Sequence, residues 1–490
     1  MLPLFMARTR LHRLTATSTI RTQTKLSCST KASASNTNPN KVIKYIAIAT
    51  ASASAIGVPG LWWLKNSLVD DVPRFASPPA KHLIIEPAPS KDEVTRIISQ
   101  EAYSFQVRNI AGVKRYDGAQ LASNSPCEDR FTHGIFPSPW NDGNQWMAWA
   151  VFDGHAGWQT AALLEKQLLP FVQHSLTQIK SLSHKEPVPV ELVQSAIKKA
   201  FLNLDDSVIN TALETSQSNE SLQQKVKKLL PAYAGSCALL SIYDSVTSTL
   251  HVACTGDSRA VMGQKKSDGT WEAIALSIDQ TGSNEEEVAR ISKEHPGEEN
   301  IAKNGRVLGV MVSRAFGDGR WKWPLELQQD LNTKFCGPGL LTPKYDVRTP
   351  PYLTAEPVLT ATKIDPSKPS FLIMATDGMW DALSNQQAVD LVGKWLDLTE
   401  AESRNYKSEP RYEPLDFGQL GNGVDWEFID RRTTVEDSNA AVHLMRNSLG
   451  GNHHELIAGR VAVGYPFSRH IRDDVTVQVV FFKDIGPKAK

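Results

Sequence analysis

Two apolar runs of this chain end on the same dipeptide. Val151-Phe152 leads into Asp153-Gly154-His155-Ala156-Gly157, and Ile373-Met374-Ala375-Thr376 leads into Asp377-Gly378. Two further acidic pairs lie near comparable runs: Glu128-Asp129, ahead of the aromatic-rich region that leads to Asp153, and Asp473-Asp474, after Arg472, at the start of the last apolar run. A strand holds the side chain at its end more firmly than a loop does, so carboxylates from several strand ends can converge on one cleft. Packed together they repel unless cations neutralise them. An oxygen-only donor set suits Mg2+ or Mn2+ better than zinc, which favours thiolates or several imidazoles. His155, beside Asp153, is a candidate general acid; the alternative is a structural histidine beside a turn. A single Asp-Gly is ordinarily a turn, so the inference requires these acids to meet in space.

The elements that must deliver them can be read from the apolar patterning. Residues 146–152, 236–243, 250–255, 371–376 and 475–482 predict strands, and 157–172, 191–215, 285–293 and 385–398 predict helices. The strands at 236–243 and 250–255 are joined by Asp244 to Thr249, long enough for a hairpin and too short for a parallel crossover. Antiparallel pairing therefore points to a layered α+β body and away from a doubly wound parallel sheet. The polar, aperiodic stretch from Tyr406 to Ser438 predicts a loop insertion.

Composition sets the class. The chain has 490 residues, 41% hydrophobic and 22% charged, with 53 basic and 53 acidic side chains. That balance excludes a collagen, a largely disordered chain or a polytopic membrane protein, and the zero net charge argues against nucleic acid as a partner. Residues 1–69 nevertheless carry nine Lys or Arg and no acid. Arg8, Arg10, Arg13, Arg21 and Lys25, set among Ser, Thr and Leu, have the composition of a mitochondrial targeting segment, assigned to residues 1–44. Tyr45 to Leu64 is an uncharged run of 20 residues, long enough for a single-pass membrane anchor but weakened by Gly57, Pro59 and Gly60. Residues 65–89 are a Pro-rich linker, and 90–485 are the expected catalytic domain. Five cysteines without close pairing (Cys28, Cys127, Cys237, Cys254 and Cys336) point to a reducing compartment. None is followed six positions later by Arg, which sets aside a cysteine-based phosphatase, and no phosphate-binding P-loop is present.

Six strings in order over about 350 residues carry a specific resemblance: Glu128-Asp129-Arg130, Asp153-Gly154-His155-Ala156-Gly157, Thr255-Gly256-Asp257-Ser258-Arg259-Ala260, Ser313-Arg314-Ala315-Phe316-Gly317-Asp318, Thr376-Asp377-Gly378-Met379-Trp380-Asp381 and Arg472-Asp473-Asp474. Together they resemble the protein phosphatase 2C family. Lys322-Trp323-Pro324, the stretch from Pro350 to Pro357 and Glu128-Asp129-Arg130-Phe131 further resemble its mitochondrial pyruvate dehydrogenase phosphatase branch.

The resemblance implies a sandwich of two antiparallel β-sheets flanked by α-helices, with a metal centre in the cleft at one end. It implies two Mg2+ or Mn2+ ions, with Asp153 bridging them, the Gly154 carbonyl on one, and Asp377 and Asp473 on the other. Glu128 and Asp129 match positions that hold metal-bound waters, and Asp257 matches one tied to a weaker third ion. His155 is implied as the acid for the departing serine oxygen, and the substrate as a phosphoprotein, with the pyruvate dehydrogenase complex the expected partner. Where the broad family places an arginine that grips phosphate, this chain has Asn124, the candidate substrate-binding residue. Residues 265–304 fall where the family has a mobile flap and are the candidate for selectivity. Two alternatives stay open: a membrane-tethered adaptor that binds phosphoprotein without turnover, and a phosphatase facing the intermembrane space if 45–64 spans.

Overall fold

Strand Gln145–Phe152 explains why its sequence looks continuously apolar. Met147, Trp149 and Val151 point into one core, while Trp146, Ala148, Ala150 and Phe152 point into another, so both faces are buried at a period of two. The same logic holds for Val475–Phe481, where Val475, Val477, Val479 and Phe481 face helices and Val480 faces the opposing sheet.

The computed structural model describes residues 88–179, 188–398 and 427–482. The targeting segment, the uncharged run 45–64 and nearly all of the linker lie outside the described residues. No helix among the described residues is long and apolar enough to cross a membrane. All the elements below belong to one unit, Glu86–Lys490.

Eleven strands form two antiparallel sheets among the described residues. In chain order they are β1 (Tyr103–Gln106), β2 (Arg115–Leu121), β3 (Arg130–Pro137), β4 (Gln145–Phe152), β5 (Ala238–Asp244), β6 (Thr249–Thr255), β7 (Arg259–Lys265), β8 (Trp271–Ala275), β9 (Val358–Lys363), β10 (Ser370–Ala375) and β11 (Val475–Phe481). One sheet runs β1-β2-β11-β10-β7-β8 and the other β9-β6-β5-β4-β3. The predicted hairpin is present: Asp244 pairs with Thr249, and the Asp244 carboxylate accepts from the Val246 backbone N–H at 2.9 Å and the Thr247 hydroxyl at 2.7 Å, which fixes the turn.

Between the sheets lie Tyr116, Trp149, Leu239, Val252, Met262 and Leu372. Helices α1 (Gln159–Thr177) and α2 (Val190–Gln217) cover the outer face of the β4 sheet through Leu164, Leu168, Ile197 and Phe201. Helices α3 (Asn385–Asp397) and α4 (Ala440–Leu449) cover the other sheet through Val389, Val392, Leu444 and Met445. The layers are helix, sheet, sheet, helix, the α+β sandwich that the resemblance implied.

One sequence expectation needs correction. Residues 271–275 are a sheet strand paired with β7, so 265–304 is not one insert. The flap begins beyond that strand and continues past Asn304, with a small core of its own formed by Ile291, Ile301, Val307, Leu308, Leu341 and Tyr352. It is tied to the body through Glu287, whose buried carboxylate accepts from Arg314 at 2.7 and 3.0 Å and from the Ser313 hydroxyl at 2.7 Å. The described part of the predicted loop 406–438 is loop with one 3-10 turn, Asp430–Arg432, and it packs into the body: Phe428 and Val435 are core residues and Asp437 pairs with buried Arg446 at 2.8 Å.

Candidate metal centre

The acids meet. Carboxylate oxygens of Asp153, Asp257 and Asp377 lie within 4.8 Å of one another. Asp473 lines the same cleft of about 410 Å3, together with His155, Cys237 and Arg469. Asp153 follows β4, Asp377 follows β10 and Asp473 precedes β11, so both sheets supply the carboxylates.

Neither glycine of the two Asp-Gly pairs serves as a turn residue. A Cβ on Gly154 would come within 2.3 Å of the Glu128 carbonyl oxygen, and one on Gly378 within 2.2 Å of the Asp474 carbonyl oxygen. Each glycine lets a second backbone segment press against the strand end, which brings Glu128 and Asp474 alongside Asp153 and Asp377.

The electrostatics follow from crowding. Burial, then the charges of Asp377, Asp129, Asp257 and Asp473, push the Asp153 carboxyl well above its ordinary range. Burial and the charges of Asp257 and Asp473 do the same to Asp377. Asp153 Oδ2 is buried with no hydrogen-bond partner. An orphaned buried oxygen among mutually repelling carboxylates, with all-oxygen donors, fits a hard divalent cation.

Asp257, the residue matched to a weaker third ion, stands in the same cluster as Asp153 and Asp377, and its Oδ1 accepts from the Cys237 thiol at 3.2 Å. Glu128 and Asp129 do not line the cleft. Asp129 is buried beneath it, held by the hydroxyls of Thr376 at 3.0 Å and Thr476 at 2.7 Å; burial, then the Asp474 charge, raises its carboxyl. Asn124 sits behind the wall as well. Its side-chain amide donates to Glu128 at 3.1 Å and to Asp474 at 3.3 Å.

Several functional side chains escape sequence reasoning. Asp474 accepts from the backbone N–H of Asn124 at 2.9 Å and Glu128 at 2.8 Å, and also from that of Ser123. Although burial opposes it, these donors hold the Asp474 carboxyl below its ordinary range, and they fasten the 123–128 segment to the start of β11. His155 Nε2 lies 2.7 Å from Asp318 Oδ2. Burial alone would make the imidazole less basic; Asp318 overcomes it, and the pKa lies above its ordinary value. Arg469 pairs with Asp473 from the 3-10 turn Phe467–His470. The i, i+4 spacing of Arg469 and Asp473 was the only signal in the sequence. Finally, the flap wall is built from residues 306–312 and 341–345, all beyond Asn304.

A family profile described as protein phosphatase 2C matches residues 121–408. A protein phosphatase 2C homolog of Schizosaccharomyces pombe is 39% identical over 88% of this chain and 94% of its own. The mitochondrial [pyruvate dehydrogenase [acetyl-transferring]]-phosphatase 1 of Saccharomyces cerevisiae is 38% identical over 78% of this chain and 71% of its own. The Bos taurus protein of the same name is 30% identical over 84% of this chain and 85% of its own.

Proposed function

The chain belongs to the protein phosphatase 2C family and is a metal-dependent protein serine/threonine phosphatase; on that premise we propose that it removes phosphate from phosphoserine of pyruvate dehydrogenase in mitochondria. The observation that carries the catalytic part is the convergence of Asp153, Asp257, Asp377 and Asp473 beside His155 in one cleft. The substrate and compartment rest on the relatives' names and on the acid-free, basic composition of residues 1–69. Residues 1–44 are the address, and 90–485 the catalytic domain.

In this reading Asp153, Asp377, Asp473 and the Gly154 carbonyl would hold two Mg2+ or Mn2+ ions and Asp257 would serve a third, with Glu128 and Asp129, from behind the cleft wall, at the positions the family gives to metal-bound waters. Bound divalent ions supply an activated water and neutralise charge on the phosphoryl oxygens. The protein's own groups do the rest. Asp318 orients the His155 ring through Nε2 and keeps it protonated, leaving the other ring nitrogen to protonate the serine oxygen as it departs. Arg469 brings a positive charge to the cleft that the neutral Asn124 does not supply.

The test is release of inorganic phosphate from phosphorylated pyruvate dehydrogenase by the purified protein with Mg2+ or Mn2+. Release that stops on chelation and is absent in Asp153→Asn is expected. Silence toward pyruvate dehydrogenase with turnover of other phosphoserine proteins would refute the substrate alone; silence toward all of them would favour the adaptor.

A further inference from the structure

The cleft is lined by both signs of charge. Besides the aspartates and Arg469 it presents Arg306 and Lys344 from the flap wall and Arg320 from the short helix Gly319–Lys322. Elsewhere in the fold, cations meet acids: Arg259 with Asp279, Arg314 with Glu287, Lys322 with Asp205, Arg446 with Asp437. Among the described residues, these three form no ion pair. Arg306 Nη1 donates to the Gly309 carbonyl at 3.2 Å, and Arg320 Nη2 to the Leu340 carbonyl at 2.8 Å. The Arg320 guanidinium lies 5.3 Å from the Trp321 ring centre and the Lys344 ammonium 5.0 Å from that of Tyr345. Arg320 Nε is buried without a partner.

Carbonyls and rings orient these cations; of the three, Arg320 feels the charge of a nearby acid, Asp318, without forming an ion pair with it. Val307, Trp321 and Tyr345, next to them in sequence, belong to or pack against the flap's small core and hold the three cations at the cleft. A buried guanidinium nitrogen with no acceptor is a further unmet demand. What satisfies both is an anion brought from outside.

We propose that Arg306, Arg320 and Lys344 form a second anion subsite, separate from the seat of the transferred phosphate, which selects phosphoserine segments bearing another anionic group close by. The inference rests on the phosphatase reading and specifies the substrate class of that site. The neighbouring anion is a carboxylate side chain or a second phosphate, since a guanidinium and ammonium cluster receives either.

The experiment compares three phosphoserine peptides that differ only beside the phosphoserine: Ala-flanked, Asp-flanked and carrying a second phosphoserine. p-Nitrophenyl phosphate, too small to reach the flap wall, monitors the basal reaction. The full chain is expected to favour at least one anionic peptide over the Ala-flanked one by about tenfold in kcat/KM, through KM, with the preference shrinking as salt rises. The two anionic arms show which anion is read. In Arg306→Gln/Lys344→Gln, both positions being exposed, the preference should fall below about twofold with p-nitrophenyl phosphate turnover unchanged. Arg320→Gln should act in the same direction. Equal kcat/KM for all three peptides, or a preference that survives in the variants, overturns the subsite. Failure to hydrolyse any peptide and p-nitrophenyl phosphate alike overturns the phosphatase reading itself.

Discussion

Asp318 is separated from His155 by 163 positions, yet its carboxylate decides what the imidazole can do. It takes a left-handed backbone conformation, φ 50°, at the start of the short helix Gly319–Lys322, in a segment held by the buried Lys322–Asp205 ion pair at 2.6 Å. Asp318→Asn keeps the shape and removes the charge, so His155 becomes a poorer proton reservoir. Turnover of phosphoserine peptide, whose leaving oxygen needs a proton, should fall by about a hundredfold. Turnover of p-nitrophenyl phosphate, whose leaving group departs without one, should fall far less, and equal losses on both substrates would show that Asp318 only supports the fold. At this scale the acids were legible, because an Asp-Gly after an apolar run marks a strand end whatever surrounds it. The partnership of Asp318 with His155, the clasp made by Asp474 and the unpaired cations of the cleft were not, because each depends on which distant residue folding places opposite.

Strands and helices were the most readable level, since burial on both faces of β4 leaves an uninterrupted apolar run and β11 is broken only by the buried Thr476 and Gln478. The flap was misjudged at both ends. Trp271–Ala275 is an edge strand in which only Trp271 is buried, and so it reads as polar insert. Helix α4 carries a feature no periodicity reveals. His443 is fully buried, its Nε2 3.0 Å from the Leu391 carbonyl of α3. Burial drives its pKa down from 6.5 to about 4, with Asp437 opposing only in part. The unfolded chain therefore binds a proton between those values while the folded chain does not, and stability falls as pH drops from about 6.5 toward about 4. The loss assigned to this residue is about 3 kcal/mol. Thermal unfolding followed from pH 7 to pH 4.5 should show a smaller decline in His443→Gln than in the parent; parallel curves would remove His443 as the cause.

For the molecule as a whole, the carboxylates of the metal centre come from both sheets, and their mutual repulsion opposes the packing of one sheet on the other until a cation cancels it. Mn2+ at a hundred times its dissociation constant should stabilise the native state by about 2.7 kcal/mol, read as a rise in melting temperature. Asp153→Asn should melt higher than the parent in chelator and gain little from the ion; a parent indifferent to Mn2+ would contradict the site. The proposed address predicts that residues 1–44 fused to a reporter enter isolated mitochondria and become protease-protected, and a reporter left outside would refute the targeting proposal. The order of assembly has a consequence of its own. Strand β11, the final strand of the described fold, lies between β2 and β10 in the middle of its sheet. A polypeptide that ends before residue 481 thus lacks part or all of its centrepiece, and hydrolysis cannot start before translation has passed that point. Prematurely terminated products are inert by architecture, without any inhibitor to silence them.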